Sequence, residues 1–153
     1  MRTRTSTWFE CKIRYDKMME DGMQKKITEL YVVDALSFTE AESSIIDEMS
    51  AYISGEFEVR DIKKAPYGEI FFSEDASADR FFKAKLQFIT IDEKTEKEKR
   101  SNVNYLVHAN TFNQAVANID KVMGTTAIDY VIASVAETQI MDVFEYHPKE
   151  ENK

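Results

Sequence analysis

The chain has 153 residues and a net charge of −8, from 20 basic and 28 acidic side chains. It is 43% hydrophobic and 31% charged, a composition typical of one folded domain rather than a disordered segment. The acidic balance argues against general attraction to nucleic acid or anionic membranes. Cys11 is the single cysteine, so no internal disulfide can form and a cytoplasmic location is expected. No stretch approaches the roughly 18 apolar residues of a membrane span.

The first part of the sequence predicts strands on both sides of a helix. Residues 1–7 are interpreted as a frayed basic arm, and the alternation in 8–15 predicts a strand with Phe9 and Ile13 on its apolar face. A polar loop, a second strand over 27–35 and a helix from Ser37 to Gly55 follow. Phe57 and Val59 mark a further strand, and after a turn at 65–68 residues 69–72 predict a short last one.

A degenerate copy of this pattern follows residue 80. The helix-start signature Ser37–Glu40 returns as Thr111–Gln114, and in both copies a side-chain oxygen is placed to cap the helix. Both helices are followed by a glycine, which predicts a left-handed cap. Strands are predicted over 81–88, 103–109, 129–136 and 139–144, although the last two could form one long bulged strand.

The sequence therefore predicts a single α+β domain of two tandem ββαββ repeats. Repeat one spans 8–72, a linker spans 73–80, repeat two spans 81–146, and a disordered tail spans 147–153. We expect a pseudo-twofold antiparallel sheet structure with one helix per repeat, because each apolar sheet face needs a cover. The helices should cover the faces of Phe9/Ile13 and Phe82/Leu86. One long sheet and two packed sheets both satisfy the pattern.

Signatures of catalysis or metal binding are missing from the sequence. The four glycines form no phosphate-binding loop, and His108 and His147 have no partner at metal-binding spacing. We therefore predict a protein that is not an enzyme and has no cofactor and no metal.

Two sets of residues are candidates for binding. Lys12, Arg14, Lys83 and Lys85, with Trp8 as a stacking platform, predict a single-stranded nucleic-acid site; Arg2 and Arg4 could add an arm, and Glu10 and Glu29 would dilute the charge. The methionines Met18, Met19 and Met23 in the first hairpin predict a partner contact, with folding back onto the core as the alternative.

Several long strings also carry a resemblance: WFECKIRYDK, QKKITELYVVDALSFTEAE, SGEF, YGEIFF and IASVAETQIMDVFEY. They resemble a protein family of Bacteroidota, their phages and mobile elements, the Domain of Unknown Function four-four-nine-four, from Trp8 to Tyr146. The resemblance implies a stand-alone cytoplasmic protein and brings no catalytic or binding residues. Our first hypothesis is thus a protein-binding or regulatory module of a bacterial or phage system, not acting at a membrane. The alternatives are single-stranded nucleic-acid binding and a small ligand or nucleotide bound between the repeats.

Overall fold

The structure, a computed structural model, describes residues 1–146; the predicted disordered tail, with His147, lies outside the described residues. The described chain forms two helices and nine strands. In order they are β1 (Arg2–Thr5), β2 (Trp8–Met18), β3 (Gln24–Asp34), α1 (Phe38–Tyr52), β4 (Phe57–Lys64), β5 (Glu69–Phe72), β6 (Arg80–Ile91), β7 (Glu98–Ala109), α2 (Phe112–Met123), β8 (Asp129–Glu137) and β9 (Ile140–Phe144).

The chain divides into two compact units, each with one helix and one sheet. Among the described residues, the α1 unit comprises Ser6–Ala65 and 139–146, and the α2 unit comprises Met1–Thr5 and Pro66–Thr138. The α1 unit holds a four-stranded sheet in the order β4-β2-β3-β9. The α2 unit holds a five-stranded sheet in the order β1-β5-β7-β6-β8. The strands therefore form two sheets and not one long sheet.

The last strand of each predicted repeat lies in the sheet of the other unit. β5 pairs with β7, β9 pairs with β3, and both pairings are parallel. The prediction of an antiparallel sheet structure is therefore wrong, because each sheet contains one parallel pair. The strands of one predicted repeat also do not share one sheet, since β5 lies with β6, β7 and β8, and β9 lies with β2, β3 and β4. The segment between β8 and β9 lacks the glycine or asparagine that a two-residue hairpin turn favours. The chain accordingly leaves one sheet and enters the other, so a single bulged strand is also wrong.

Each unit has a core between its helix and one face of its sheet. The α1-unit core contains Phe9, Cys11, Ile13, Val33, Ala35, Ala41, Ile45 and Met49. The α2-unit core contains Phe71, Phe82, Ala84, Leu86, Tyr105, Val107, Ala109, Ala115, Ile119 and Met123. The prediction that the helices cover the Phe9/Ile13 and Phe82/Leu86 faces is confirmed.

The helix starts are confirmed, whereas the predicted helix ends are wrong. Ser37 Oγ accepts a hydrogen bond from the Glu40 N–H at 3.1 Å, and Thr111 Oγ1 accepts one from the Gln114 N–H at 3.0 Å. Helix α1 ends before Gly55, with Ile53 as an extended cap, and Gly124 keeps a right-handed φ of −64°. A Cβ at Gly124 would lie 2.9 Å from the Asp120 carbonyl oxygen, so close approach favours glycine there.

The amino-terminal segment is a strand, and the prediction of a frayed arm is wrong. β1 pairs antiparallel with β5, with Arg2 opposite Phe72. The Arg2 guanidinium lies 4.1 Å from the centroid of the Phe72 ring, and Arg4 is 8% exposed. Alternating threonines suit an extended backbone, and the free edge of β5 supplies its hydrogen bonds.

Candidate functional site

Helix α1 covers only part of the sheet face beneath it. Its 15 residues give a length of about 22 Å, whereas the 11 residues of β2 or β3 extend for about 37 Å. The helix begins near Phe9, because the Phe38 ring meets the Phe9 ring at 5.0 Å. The far half of the β2–β3 hairpin consequently extends beyond the helix and leaves its inner face open.

An acid–aromatic groove occupies this uncovered face, where α1 ends. We use this name for a depression of about 310 Å³ in the α1 unit. Its lining residues come from β2, β3, the end of α1 and β9: Tyr15, Glu29, Tyr31, Tyr52, Ile53, Met141, Asp142 and Phe144. The groove therefore exists only because β9, from the end of the chain, docks beside β3.

The aromatic rings of the groove are arranged with their faces nearly parallel. The Phe144 ring lies 5.6 Å from the Tyr31 ring at an interplanar angle of 19°. The Tyr52 ring lies 6.4 Å from the Phe144 ring at 28°. Tyr52 is 68% exposed, so its ring is open to a ligand. The stacked rings partly cover one another, so the largest exposed ring surface of the series belongs to Tyr52 at its end.

Glu29 is fixed at the groove by its tyrosine neighbours. The Tyr31 hydroxyl donates a hydrogen bond to Glu29 Oε1 at 3.3 Å. Burial, and then the hydrogen bond and charge of Glu29, raise the pKa of Tyr15 to about 12. Burial and the Glu29 charge also raise the pKa of Tyr31. Both phenols therefore stay protonated at neutral pH and can donate to the carboxylate, which holds it in place.

The electrostatic environment of the groove is negative. Glu29 and Asp142 line it, and no Lys, Arg or His is among the described residues that do so. The carboxyl end of α1, at Tyr52, contributes the negative end of a helix dipole, and its last turn holds no basic residue. Aromatic faces, carboxylates and a helix carboxyl end all attract a positive charge.

The three predicted contact methionines lie at the tip of the same hairpin. Met18, Met19 and Met23 are 61%, 38% and 67% exposed, so the alternative that they fold back onto the core is wrong. Gly22, with a φ of 80°, makes the tight turn between them. Residues 17–21 enclose a further depression of about 460 Å³. Only three strand positions, about 10 Å, separate Tyr15 from Met18.

The basic residues of β2 face acidic neighbours. Across the β2–β4 pairing Lys12 lies opposite Asp61, and Arg14 lies opposite Glu58. Glu10 is 2% exposed, and its carboxylate lies 3.9 Å from the Lys63 ammonium group. Acids of β4 therefore offset this half of the predicted nucleic-acid site. The expectation that Glu29 dilutes the same face is wrong, because Glu29 lies on the helix side.

The basic residues of β6 lie opposite uncharged residues in both of its strand pairings. Lys83 lies opposite Leu106 and Ala136, and Lys85 lies opposite Asn104 and Ser134. Lys83 and Lys85 line a small depression of about 170 Å³ together with Tyr67 and Tyr105. Lys12 and Arg14 belong to one unit, and Lys83 and Lys85 belong to the other.

Trp8 does not provide the stacking platform that the sequence suggested. Its side chain is 1% exposed, so neither face of the indole is open to a base. The alternation placed Trp8 on the sheet face away from the helix and predicted exposure there, but that face also buries Glu10 and Val32. Alternation assumes that one face of a strand is exposed to solvent, so it does not predict a strand that is buried on both faces.

His108 and Cys11, the residues considered for catalysis or metal binding, have structural roles in the fold. His108 Nε2 bonds the Ala78 carbonyl at 2.9 Å and its Nδ1 accepts from the Ser73 N–H, which holds the segment between β5 and β6. Burial raises the pKa of the Cys11 thiol to about 12. Within residues 1–146 no group of three or more Cys, His, Asp or Glu side chains is placed to bind a metal ion. In the same range neither helix is long and apolar enough to cross a membrane.

These observations define an α+β protein with two helices, two mixed sheets and an acid–aromatic groove at one hairpin. Residues 7–146 match the family described as Domain of unknown function (DUF4494), and the chain belongs to this family. No curated protein matches the chain, and no solved structure matches it.

Sequence reasoning did not find the groove. Its walls come from β2, β3, the end of α1 and β9, and only the parallel pairing of β9 with β3 joins them. One signal was present in the sequence: Glu29 is a charged residue between Ile27 and Tyr31 on the strand face that is directed towards the helix. Charged side chains are rarely fully buried, so a charged residue on the helix-facing side of a strand indicates that the helix does not cover that part of the sheet.

Proposed function

We propose that the chain is a non-enzymatic protein-binding module whose contact surface is the tip of the β2–β3 hairpin. The observation that carries this proposal is the exposure of Met18, Met19 and Met23 beside a concave surface. Methionine side chains are flexible and polarizable, so they adapt to a partner's apolar surface. Isolated exposed apolar residues are ordinary, but three on one turn form a patch.

The test compares this hairpin tip with the tip of the β6–β7 hairpin. The bait proteins are the wild type, a Met18→Ser/Met19→Ser/Met23→Ser variant, and a control with Lys94→Ser and Lys97→Ser at the other tip. The same lysate of the source organism is passed over all three, and captured proteins are quantified by mass spectrometry. We expect at least one protein that the wild type and the control retain and the methionine variant loses. Equal retention by all three baits would overturn the proposal.

We place this module in a cytoplasmic regulatory system of Bacteroidota or their phages. The sequence strings that resemble that group support this placement. We also propose that the two halves of the chain arose by duplication. In support, both helices begin with a hydroxyl cap, and core positions Ala41, Ile45 and Met49 correspond to Ala115, Ile119 and Met123. Binding of a small ligand between the two halves stays a prediction.

Single-stranded nucleic-acid binding is the second candidate, and it is now centred on β6. The observation that favours it is the pair of uncharged polar residues opposite Lys85 in its two strand pairings, in contrast to the acids opposite Lys12 and Arg14. Fluorescence anisotropy with a labelled oligo-dT at low salt provides the test. Lys83→Glu/Lys85→Glu should abolish binding and Lys12→Glu/Arg14→Glu should reduce it less. Absence of any anisotropy change for the wild type at low salt would refute this candidate.

A further inference from the structure

We infer that the acid–aromatic groove binds the guanidinium group of an arginine side chain presented by the partner protein. This inference rests on the proposed function, since it names the chemistry of the partner that contacts the same hairpin. It is carried by three features of the groove: the ring faces, the carboxylates and the end of α1.

The rings provide the stacking surface. Tyr31, Phe144 and Tyr52 form a series of near-parallel rings, and Tyr52 leaves more than half of its surface exposed. A guanidinium group is planar and weakly hydrated, so it can lie flat on such a face and gain cation–π attraction. An ammonium group has no plane to match the rings and is more costly to dehydrate.

The carboxylates provide the hydrogen-bond acceptors. Glu29 is held by the Tyr31 hydroxyl at 3.3 Å and retains unshared lone pairs, and Asp142 is exposed on the neighbouring strand. Because Tyr31 lies opposite Asp142 in the β3–β9 pairing, the two carboxylates border the same ring. A guanidinium group has five donors in a fixed fork, so it can stack on a ring while donating to a carboxylate at its edge.

The position of the groove favours a protein side chain over a free small cation. The groove is open on one side, and its Tyr15 edge lies about 10 Å along the strand from Met18 at the hairpin tip. An extended segment that places an apolar residue against the methionines can therefore reach the groove with a residue three or four positions away. The net charge of −8 steers a basic segment towards the chain.

The direct test is a titration of the uniformly ¹⁵N-labelled full chain, followed by two-dimensional amide spectra. The probes are the N-acetyl, N-methylamide derivatives of arginine, lysine and citrulline. Citrulline is the matched control, because it keeps the shape of arginine and lacks its charge. We expect arginine to shift the amide signals of Tyr31, Tyr52 and Asp142 and to bind about tenfold more tightly than either other probe. Equal binding of citrulline or lysine, or shifts located elsewhere, would overturn the inference.

Variants of the groove give a second, independent readout. Glu29→Gln and Asp142→Asn each remove a charge with little change of shape, and Tyr52→Leu removes an exposed ring from the end of α1. Each should weaken arginine binding by about fivefold or more, while Glu93→Gln in the other hairpin should leave it unchanged. Dispersed amide spectra show that each variant is folded. Unchanged arginine affinity in all three groove variants would refute the assignment.

The two proposals fail in different ways. If a partner is lost with the methionine variant but no arginine probe shifts the groove signals, only the arginine inference is wrong. If the arginine probe binds the groove but the methionine variant captures the same proteins as the wild type, the contact surface at the hairpin tip is wrong. Both results can be obtained with the same set of purified proteins.

Discussion

The substitution Ile140→Ala tests the docking of β9 onto β3, on which the groove depends. Ile140 is 4% exposed and pairs with Leu30 of β3. Truncation of a buried isoleucine costs about 2–5 kcal/mol. Because β9 is an edge strand and its neighbours can relax, we expect a loss of about 2–3 kcal/mol and a melting temperature lower by about 5–10 °C. Urea unfolding followed by the fluorescence of Trp8, which is buried in the same unit, measures the change.

The matched control is Met141→Ala in the same strand. Met141 is 53% exposed, so its truncation should change the free energy of unfolding by no more than about 0.5 kcal/mol. The contrast between adjacent residues depends on β9 being a docked strand with one buried side. If Ile140→Ala is as mild as Met141→Ala, then β9 does not dock on β3, and the strand exchange and the groove are both wrong.

Three further predictions concern single contacts. Ser37→Ala and Thr111→Ala should each lower the free energy of unfolding by about 1 kcal/mol, because each removes the side-chain oxygen that caps its helix. Chemical denaturation measures the change, and an unchanged free energy of unfolding would mean that the cap is not formed. Tyr146→Phe removes the hydroxyl that donates to the Glu48 carboxylate and lies 3.2 Å from the Ser44 carbonyl oxygen, and it should cost about 1 kcal/mol in the same assay. No loss would show that the hydroxyl makes neither bond in solution. Burial raises the pKa of Cys11 from 9.0 to about 12, so above pH 9 the unfolded chain releases this proton and the native chain keeps it. Stability therefore falls as pH rises, and the advantage of the wild type over Cys11→Ala should shrink by about 1 kcal/mol between pH 8 and pH 10. An advantage independent of pH would contradict a buried thiol.

Much of the secondary structure follows from local patterns in the sequence. Alternation predicted β2 and β6, the hydroxyl caps predicted the first residues of α1 and α2, and the 69–72 strand is confirmed with its bounds. These features depend on side chains within a few residues of one another. The strand β1 was missed because RTRT carries no apolar signal, and its pairing partner lies in β5.

The predicted sites succeeded or failed according to burial. The exposure of the methionines follows from a turn that projects beyond the core, and the sequence indicated that turn through Gly22. The prediction for Trp8 failed because both faces of β2 are buried at its amino-terminal end. The predicted nucleic-acid residues were chosen because alternate residues of a strand share a face. That rule does not show which residues lie on the neighbouring strand, where Asp61 lies opposite Lys12.

The sequence by itself determined two helices with their amino-terminal caps, the apolar face of each central hairpin, and a hairpin tip rich in methionine. The tertiary structure alone decided that β5 and β9 cross into the opposite sheets and pair in parallel. The physical reason is that strand pairing uses backbone hydrogen bonds, which any extended segment can offer, so local sequence does not specify the partner. That pairing brings Asp142 and Phe144 beside Glu29 and Tyr31 and thereby creates the groove.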